Sequence, residues 1–335
     1  MNILKQKQLF FNRTFSLVPP QLQPLYTFGF RALACERVTS MRGNARQVVG
    51  NANTAKTKAW RLLKNRRWKS VIPALLVDLR LVTDASIVCL DFSDFHGWQI
   101  LTFAIQTHRG RAIPVYFEII KYPITEKSQN IFIVSAIEEF VKIVECRPKL
   151  VMDRGFACPH ILKHLAKQGH LFVVRVKGVK QFRNHQNRLF KARNTTKDDQ
   201  EIRGYTKKLR LIVSDKLTTM KEPWYLVTND FTSTREEIVT DYYHRFEIEE
   251  FFKDAKWLLG LEWVRFLKVT SMANVLWFVM LGLWFIETLR TLVAEPLWKN
   301  HHAVSWNRFI VELIEREKNA LVAQYCGVEE VVAYG

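Results

Sequence analysis

From Ser86 to Lys177 the chain holds to one pattern: strand, strand, strand, helix, strand, helix, strand. The run from Ser86 to Phe92 is β-branched and apolar, and 98–105 and 113–120 read as two further strands. Gly97 and the segment 108–110 supply the turns, so the three strands predict an antiparallel meander. A helical pattern over 129–146 follows, then a short strand at 149–153, a helix at 159–168 and a strand at 171–177. Few arrangements bury such a series other than an α/β layer with a mixed sheet.

Two acids are placed by this frame. Asp91 is read at the end of the first strand, in Cys89-Leu-Asp-Phe-Ser, and Asp153 at the end of the fourth, in Leu150-Val-Met-Asp-Arg-Gly-Phe. A carboxylate closing an apolar strand is equally well explained as a turn cap. A third acid changes that balance. Tyr242, Arg245, Glu249 and Lys256 stand at offsets of three, seven and fourteen residues. At about 100° per residue all four fall within roughly a 60° arc of a single helix. A carboxylate among a phenol, a guanidinium and an ammonium suits a metal and a phosphate together. Three carboxylates offer the oxygen ligands that hard divalent cations require, and two Mg2+ so held can flank a phosphodiester displaced in line.

The spacing Y-x2-R-x3-E-x6-K resembles the signature of DDE transposases from bacterial insertion sequences, the cut-and-paste group. Asp153-Arg-Gly-Phe156 resembles the family's second motif, and Asp91-Phe-Ser93 its first. The resemblance spans roughly 85–265 and implies an RNase H-like α/β core with a β-rich insertion. A basic helical N-terminal domain and a helical C-terminal region flank that core. The implied parts are a DNA-binding region at 1–70, a catalytic core at 71–177 and 223–265, an insertion at 178–222 and a C-terminal region at 266–335. It implies Asp91, Asp153 and Glu249 as metal-binding catalytic residues for two Mg2+, with Mn2+ as an acceptable substitute. Tyr242, Arg245, Lys256 and Arg154 are implied to grip phosphate near the cut end, and Trp224 to stack on a flipped base. The implied partners are the element's terminal repeats, target DNA and a second copy of the chain, as a homodimer on DNA. The same acids would also serve a plain metal-dependent nuclease, and an inactive transposase retained as a DNA-binding protein is the remaining alternative.

Charge points the same way. Residues 1–70 carry fourteen Lys and Arg against one acid, Glu36, which leaves a net +13 of the chain's +18 in about a fifth of its length. Such a block reads as a polyanion-binding arm. Within it the segment 53–65 has helical spacing, with an N-cap expected at Asn53 or Thr54 and Lys56, Lys58, Arg61 and Lys64 on its outer face. With Gly50 before it, this reads as the second helix of a helix-turn-helix.

Five scattered cysteines form no C-x-x-C pair, which argues against a zinc ribbon and fits a reducing compartment. The opening residues are polar and basic rather than signal-like, and the apolar run 275–286 is too short to span a bilayer. The expected location is therefore the bacterial cytoplasm, at the nucleoid, with no membrane partner. The run 275–286 is expected to be core, and 303–316 an amphipathic core or dimer surface. No P-loop, G-x-S-x-G elbow or H-E-x-x-H motif is present.

Overall fold

A computed structural model describes residues 3–298 apart from 35–39, 96, 108–110, 122–128, 196, 205–206, 216–222, 258–260, 262–265 and 267. The chain forms two compact units, Pro73–Phe252 and Met1–Ile72 with Lys253–Gly335. The expected segment 303–316 lies outside the described residues.

The 73–252 unit is built on a ten-stranded sheet. Its first half comprises β1 (Ile87–Phe95), β2 (Trp98–Ile105), β3 (Ile113–Lys121), β4 (Lys149–Met152) and β5 (Phe172–Val176). Strands β1, β2 and β3 form the antiparallel meander, while β4 runs parallel to β1 and β5 parallel to β4. The resulting order, β3-β2-β1-β4-β5, is that of an RNase H-like core. Gly97 turns β1 into β2 with φ +82°, a conformation that costs a residue without Cβ little. Parallel β4 and β5 require a crossover, and α7 (Pro159–Gln168) supplies it; α6 (Gln129–Val144) packs on α7 and β3.

The segment 178–222, expected as a β-rich insertion, supplies strands of the same sheet. Strands β6 (Gln181–Arg183), β7 (Leu189–Lys191), β8 (Asp199–Gly204) and β9 (Lys207–Val213) continue the same sheet through β10 (Tyr225–Thr228). Strands β9 and β10 are buried on both faces, with Leu209, Leu211, Ile212, Leu226 and Val227 fully buried, so β9 joins the core by pairing with β10. Helix α8 (Arg235–Tyr243) begins with a capping box, in which Thr234 and Glu237 satisfy each other's backbone N–H groups, and packs on β4, β5 and β9.

Beneath α8 lies a buried charge cluster. Lys149 Nζ donates to Asp230 Oδ2 at 2.7 Å, Asp241 Oδ2 at 2.9 Å and Ser233 Oγ at 3.0 Å. Burial alone would lift the Asp230 carboxyl, but the Lys149, Ser233 and Thr232 donors hold it well below the usual carboxylate range. Lys149→Met is expected to destabilise this unit by about 3 kcal/mol, because it leaves two carboxylates in one buried site. Asp230 has a lowered pKa, so its stabilisation is present above the ordinary carboxylate value and lost as pH falls through the lowered one. Denaturation of wild type and variant should therefore differ fully at neutral pH and converge on acidification.

The other unit contains α1 (Ile3–Leu17), α2 (Gln23–Leu33), α3 (Met41–Val49), α4 (Ala52–Lys64), the start of α5 (Trp68–Leu79) and α10 (Val269–Trp298). Its centre is aromatic: Tyr26, Trp68 and Phe278 are fully buried against one another, with the Trp68 and Phe278 rings edge-on at 5.1 Å. Gly29 allows α2 to approach closely, since a Cβ there would meet Phe278 at 2.6 Å and Leu62 at 2.9 Å. The buried amide of Asn274 on α10 caps α4 by donating to the carbonyls of Leu62 at 2.9 Å and Asn65 at 2.9 Å. The apolar run 275–285 is buried as expected of a core helix. Among the described residues, no helix is long and apolar enough to cross a membrane.

Between α3 and α4 the turn is short, with Gly50 at φ +76°. The N-cap of α4 is Asn51, not Asn53 or Thr54, because its Oδ1 accepts from both of those backbone N–H groups, at 3.0 and 3.1 Å.

Candidate active site

Strand parity assembles the site. Cys89 pairs with Val151 in the β1–β4 register, and both side chains join the cluster under α8. Two residues on from each, Asp91 and Asp153 fall on that same face of adjacent parallel strands. Asp91 is not at the end of its strand as expected; β1 runs on to Phe95 and Asp91 pairs with Thr102. Asp153 immediately follows β4 and opens a single 3-10 turn, Arg154–Phe156. That turn is anchored by Phe156, which is buried and stacks on Phe92 with centroids 5.7 Å apart.

The Y-R-E-K residues do not share one unbroken helix. Tyr242 ends α8, Arg245 lies in a 3-10 turn (His244–Phe246), and Glu249 and Lys256 are on α9 (Glu247–Trp257). The tightening rotates Arg245 inward, leaving it only 4 % exposed. Two side chains fasten this turn to the meander. Gln106 Nε2 donates to the Asp241 carbonyl at 2.6 Å, and Glu247, also 4 % exposed, accepts from Thr107 N at 2.8 Å. These are positioning residues that sequence reasoning missed, since their partners lie more than a hundred residues away.

Arg245 stands between the acids. One guanidinium nitrogen donates to Asp91 Oδ2 at 3.0 Å and the other to Glu249 Oε1 at 2.8 Å. The Tyr242 hydroxyl donates to Asp153 Oδ1 at 3.1 Å. Burial pushes the Tyr242 phenol up to about 12, which keeps it a donor. Desolvation raises the Asp91 carboxyl, opposed by Arg245 and by the Phe92 N–H. Burial works against the Arg245 charge, yet Tyr242, Asp91, Asp153 and Glu249 outweigh it and raise its pKa. Arg245 is the cation among these carboxylates, and oxygen donors of this kind are what a hard divalent ion takes. Among the described residues no three His, Cys, Asp or Glu side chains stand close enough to hold a metal as they are. Arg245 occupies the space between two of them.

The remaining expected residues are more dispersed. Arg154 is exposed beside Asp153. Lys256 is half-buried two turns beyond Glu249 on α9, past the unit boundary. Trp224 is 5 % exposed, edge-on to Tyr242 at 4.9 Å and part of the core cluster. Its neighbours Tyr243 (54 % exposed) and Phe246 present their rings outward instead. Lys56, Lys58, Arg61 and Lys64 are all exposed on α4.

A sheet ordered β3-β2-β1-β4-β5, with acids on its adjacent parallel strands and a third on a helix laid over that face, defines an RNase H-like α/β protein. Residues 128–285 match the family model described as the transposase DDE domain. The matched segment includes Asp153 and Glu249 and begins after Asp91. Endonuclease V from Bacillus subtilis is a structural neighbour at 12 % identity and a TM-score of 0.30, covering 54 % of this chain and 83 % of that one. No protein of curated function matches the chain.

Proposed function

We propose that this protein is the transposase of a bacterial insertion sequence, a cut-and-paste enzyme that binds its element's ends, cleaves them and joins the freed 3′-ends to target DNA. The observation that carries the reading is the gathering of Asp91, Asp153 and Glu249 around Arg245 and Tyr242 on one face of the sheet. Asp91, Asp153 and Glu249 would hold two Mg2+, or Mn2+, which when bound supply Lewis-acid activation of a water or 3′-hydroxyl and stabilise the leaving 3′-oxygen. The chain's own groups do the positioning. Arg245 offers a planar fork that matches a phosphodiester, Tyr242 a hydroxyl donor, and Arg154 and Lys256 point charges along the strand. Base stacking falls to Tyr243 and Phe246, exposed rings that pack beside the buried Trp224.

In this reading residues 1–70 bind the terminal repeats, 71–177 with 223–265 perform the chemistry, 178–222 extend the sheet toward DNA and 266–335 contribute to a homodimer on DNA. The enzyme works in the cytoplasm at the nucleoid. The test is cleavage of a labelled duplex carrying the DNA that flanks the gene, with Mg2+ and with EDTA. Nicking at the element boundary that needs the ion supports a transposase, and cutting without regard to sequence favours a nuclease of the same fold.

The DNA-binding role of α4 has its own signature. Replacing Lys56, Lys58, Arg61 and Lys64 by Gln is expected to flatten the dependence of log K on log salt by about 3.6 units, at roughly 0.9 per lost phosphate contact. Fluorescence anisotropy at several salt concentrations reads this directly. An unchanged slope places the phosphate contacts elsewhere.

A further inference from the structure

The N-terminal part of α2, the turn before it and α4 enclose a cleft of about 530 Å3, all of it within the N-terminal segment of one unit. One wall is apolar, formed by Leu22, Pro24 and Leu25. The other is the face of α4 that carries Lys58, Trp60, Arg61 and Lys64. Trp60 is 56 % exposed, unusual for so large an apolar ring in a folded unit. Lys64, one helical turn on, places its Nζ 4.1 Å from the Trp60 ring centroid. The charged side chains that line the cleft are Lys58, Arg61 and Lys64, all of them cations.

These features together specify a ligand. A double helix is a convex rod read by elements that protrude into its grooves, and a concave cleft does not admit it. The volume lies in the range of pockets that take small ligands. An exposed indole suits the π-face of a base, and cations at its rim suit the adjoining phosphates. We propose that this cleft binds one unpaired nucleotide of a DNA strand, with the base against Trp60 and the apolar wall and the phosphates on Lys58, Arg61 and Lys64. Lys64 then exchanges the ring for a phosphate. The inference rests on the DNA-binding reading and adds that the N-terminal segment prefers frayed or single-stranded DNA to a closed duplex.

The experiment is fluorescence anisotropy of the full chain on three labelled probes: a twelve-residue oligo-dT, a blunt duplex, and the same duplex with an unpaired 3′ extension. Trp60→Ala is expected to weaken binding of oligo-dT and of the extended duplex roughly tenfold or more, the scale of one lost base–aromatic stack. Blunt-duplex affinity should change by less than about twofold, as a surface ring makes no groove contact. Trp60→Phe, which keeps a stacking face, should restore most of the loss and guards against a folding defect. Equal losses on all three probes, or none on any, overturn the cleft assignment. Wild type that binds none of the probes overturns the DNA-binding reading with it.

Discussion

Glu249→Gln is expected to lower strand cleavage by at least about a thousandfold while leaving affinity for the element ends within a few fold. The side chain keeps its shape and loses one negative charge in a donor set that must balance a divalent ion. Losing the Lewis acid's hold costs several kcal/mol of transition-state stabilisation, and about 4 kcal/mol is a thousandfold in rate. The fold should be spared. Glu249 is nearly half exposed, and an ion pair of that exposure contributes at most about 1 kcal/mol. Cleavage and gel-shift assays on one preparation separate the two effects. Equal loss of binding and cutting would show that Glu249 serves DNA contact rather than metal.

Arg245→Gln has the opposite character, affecting stability first. Arg245 is buried and donates to Asp91 at 3.0 Å, so its removal leaves a partly buried carboxylate without its main counter-charge. Breaking a buried pair in this way costs about 3–5 kcal/mol, near the lower end here because Glu249 remains solvated. In a unit of this size that is a fall in melting temperature of roughly 10 °C. Magnesium should then recover more stability for the variant than for wild type, because a cation binding the folded state replaces the missing charge. Thermal denaturation with and without 10-fold changes in Mg2+ measures it. A variant as stable as wild type, with the same response to magnesium, would mean that the guanidinium does not stand in for a cation.

Much of this site was legible in the sequence because strand parity is a local property. The spacing of Cys89 from Asp91 and of Val151 from Asp153 already puts both acids on one face, provided the two strands are parallel neighbours. Asp91's place inside β1 was misread because Ser93 and Asp94 look like a turn, whereas pairing with β2 carries the strand to Phe95. The helical arc of Tyr242, Arg245 and Glu249 was legible as an arc, but the tightening at His244–Phe246 was not, since no Gly or Pro marks it. Gln106 and Glu247 look like ordinary surface polar residues in sequence; only tertiary contact makes them anchors. The same holds for β9, whose apolar alternation announces a strand and not the partner that draws it into the sheet.

A change of metal preference tests most directly whether the carboxylate oxygens of this cluster hold the ion that cuts DNA. Asp153→Cys replaces a hard oxygen ligand by a soft sulfur, which Mg2+ tolerates poorly and Mn2+ tolerates better. Cleavage of the flanking-DNA duplex by this variant should be lost in Mg2+ and partly restored in Mn2+, with wild type active in both. Cutting by Asp153→Cys in Mg2+ at the wild-type rate would contradict the assignment.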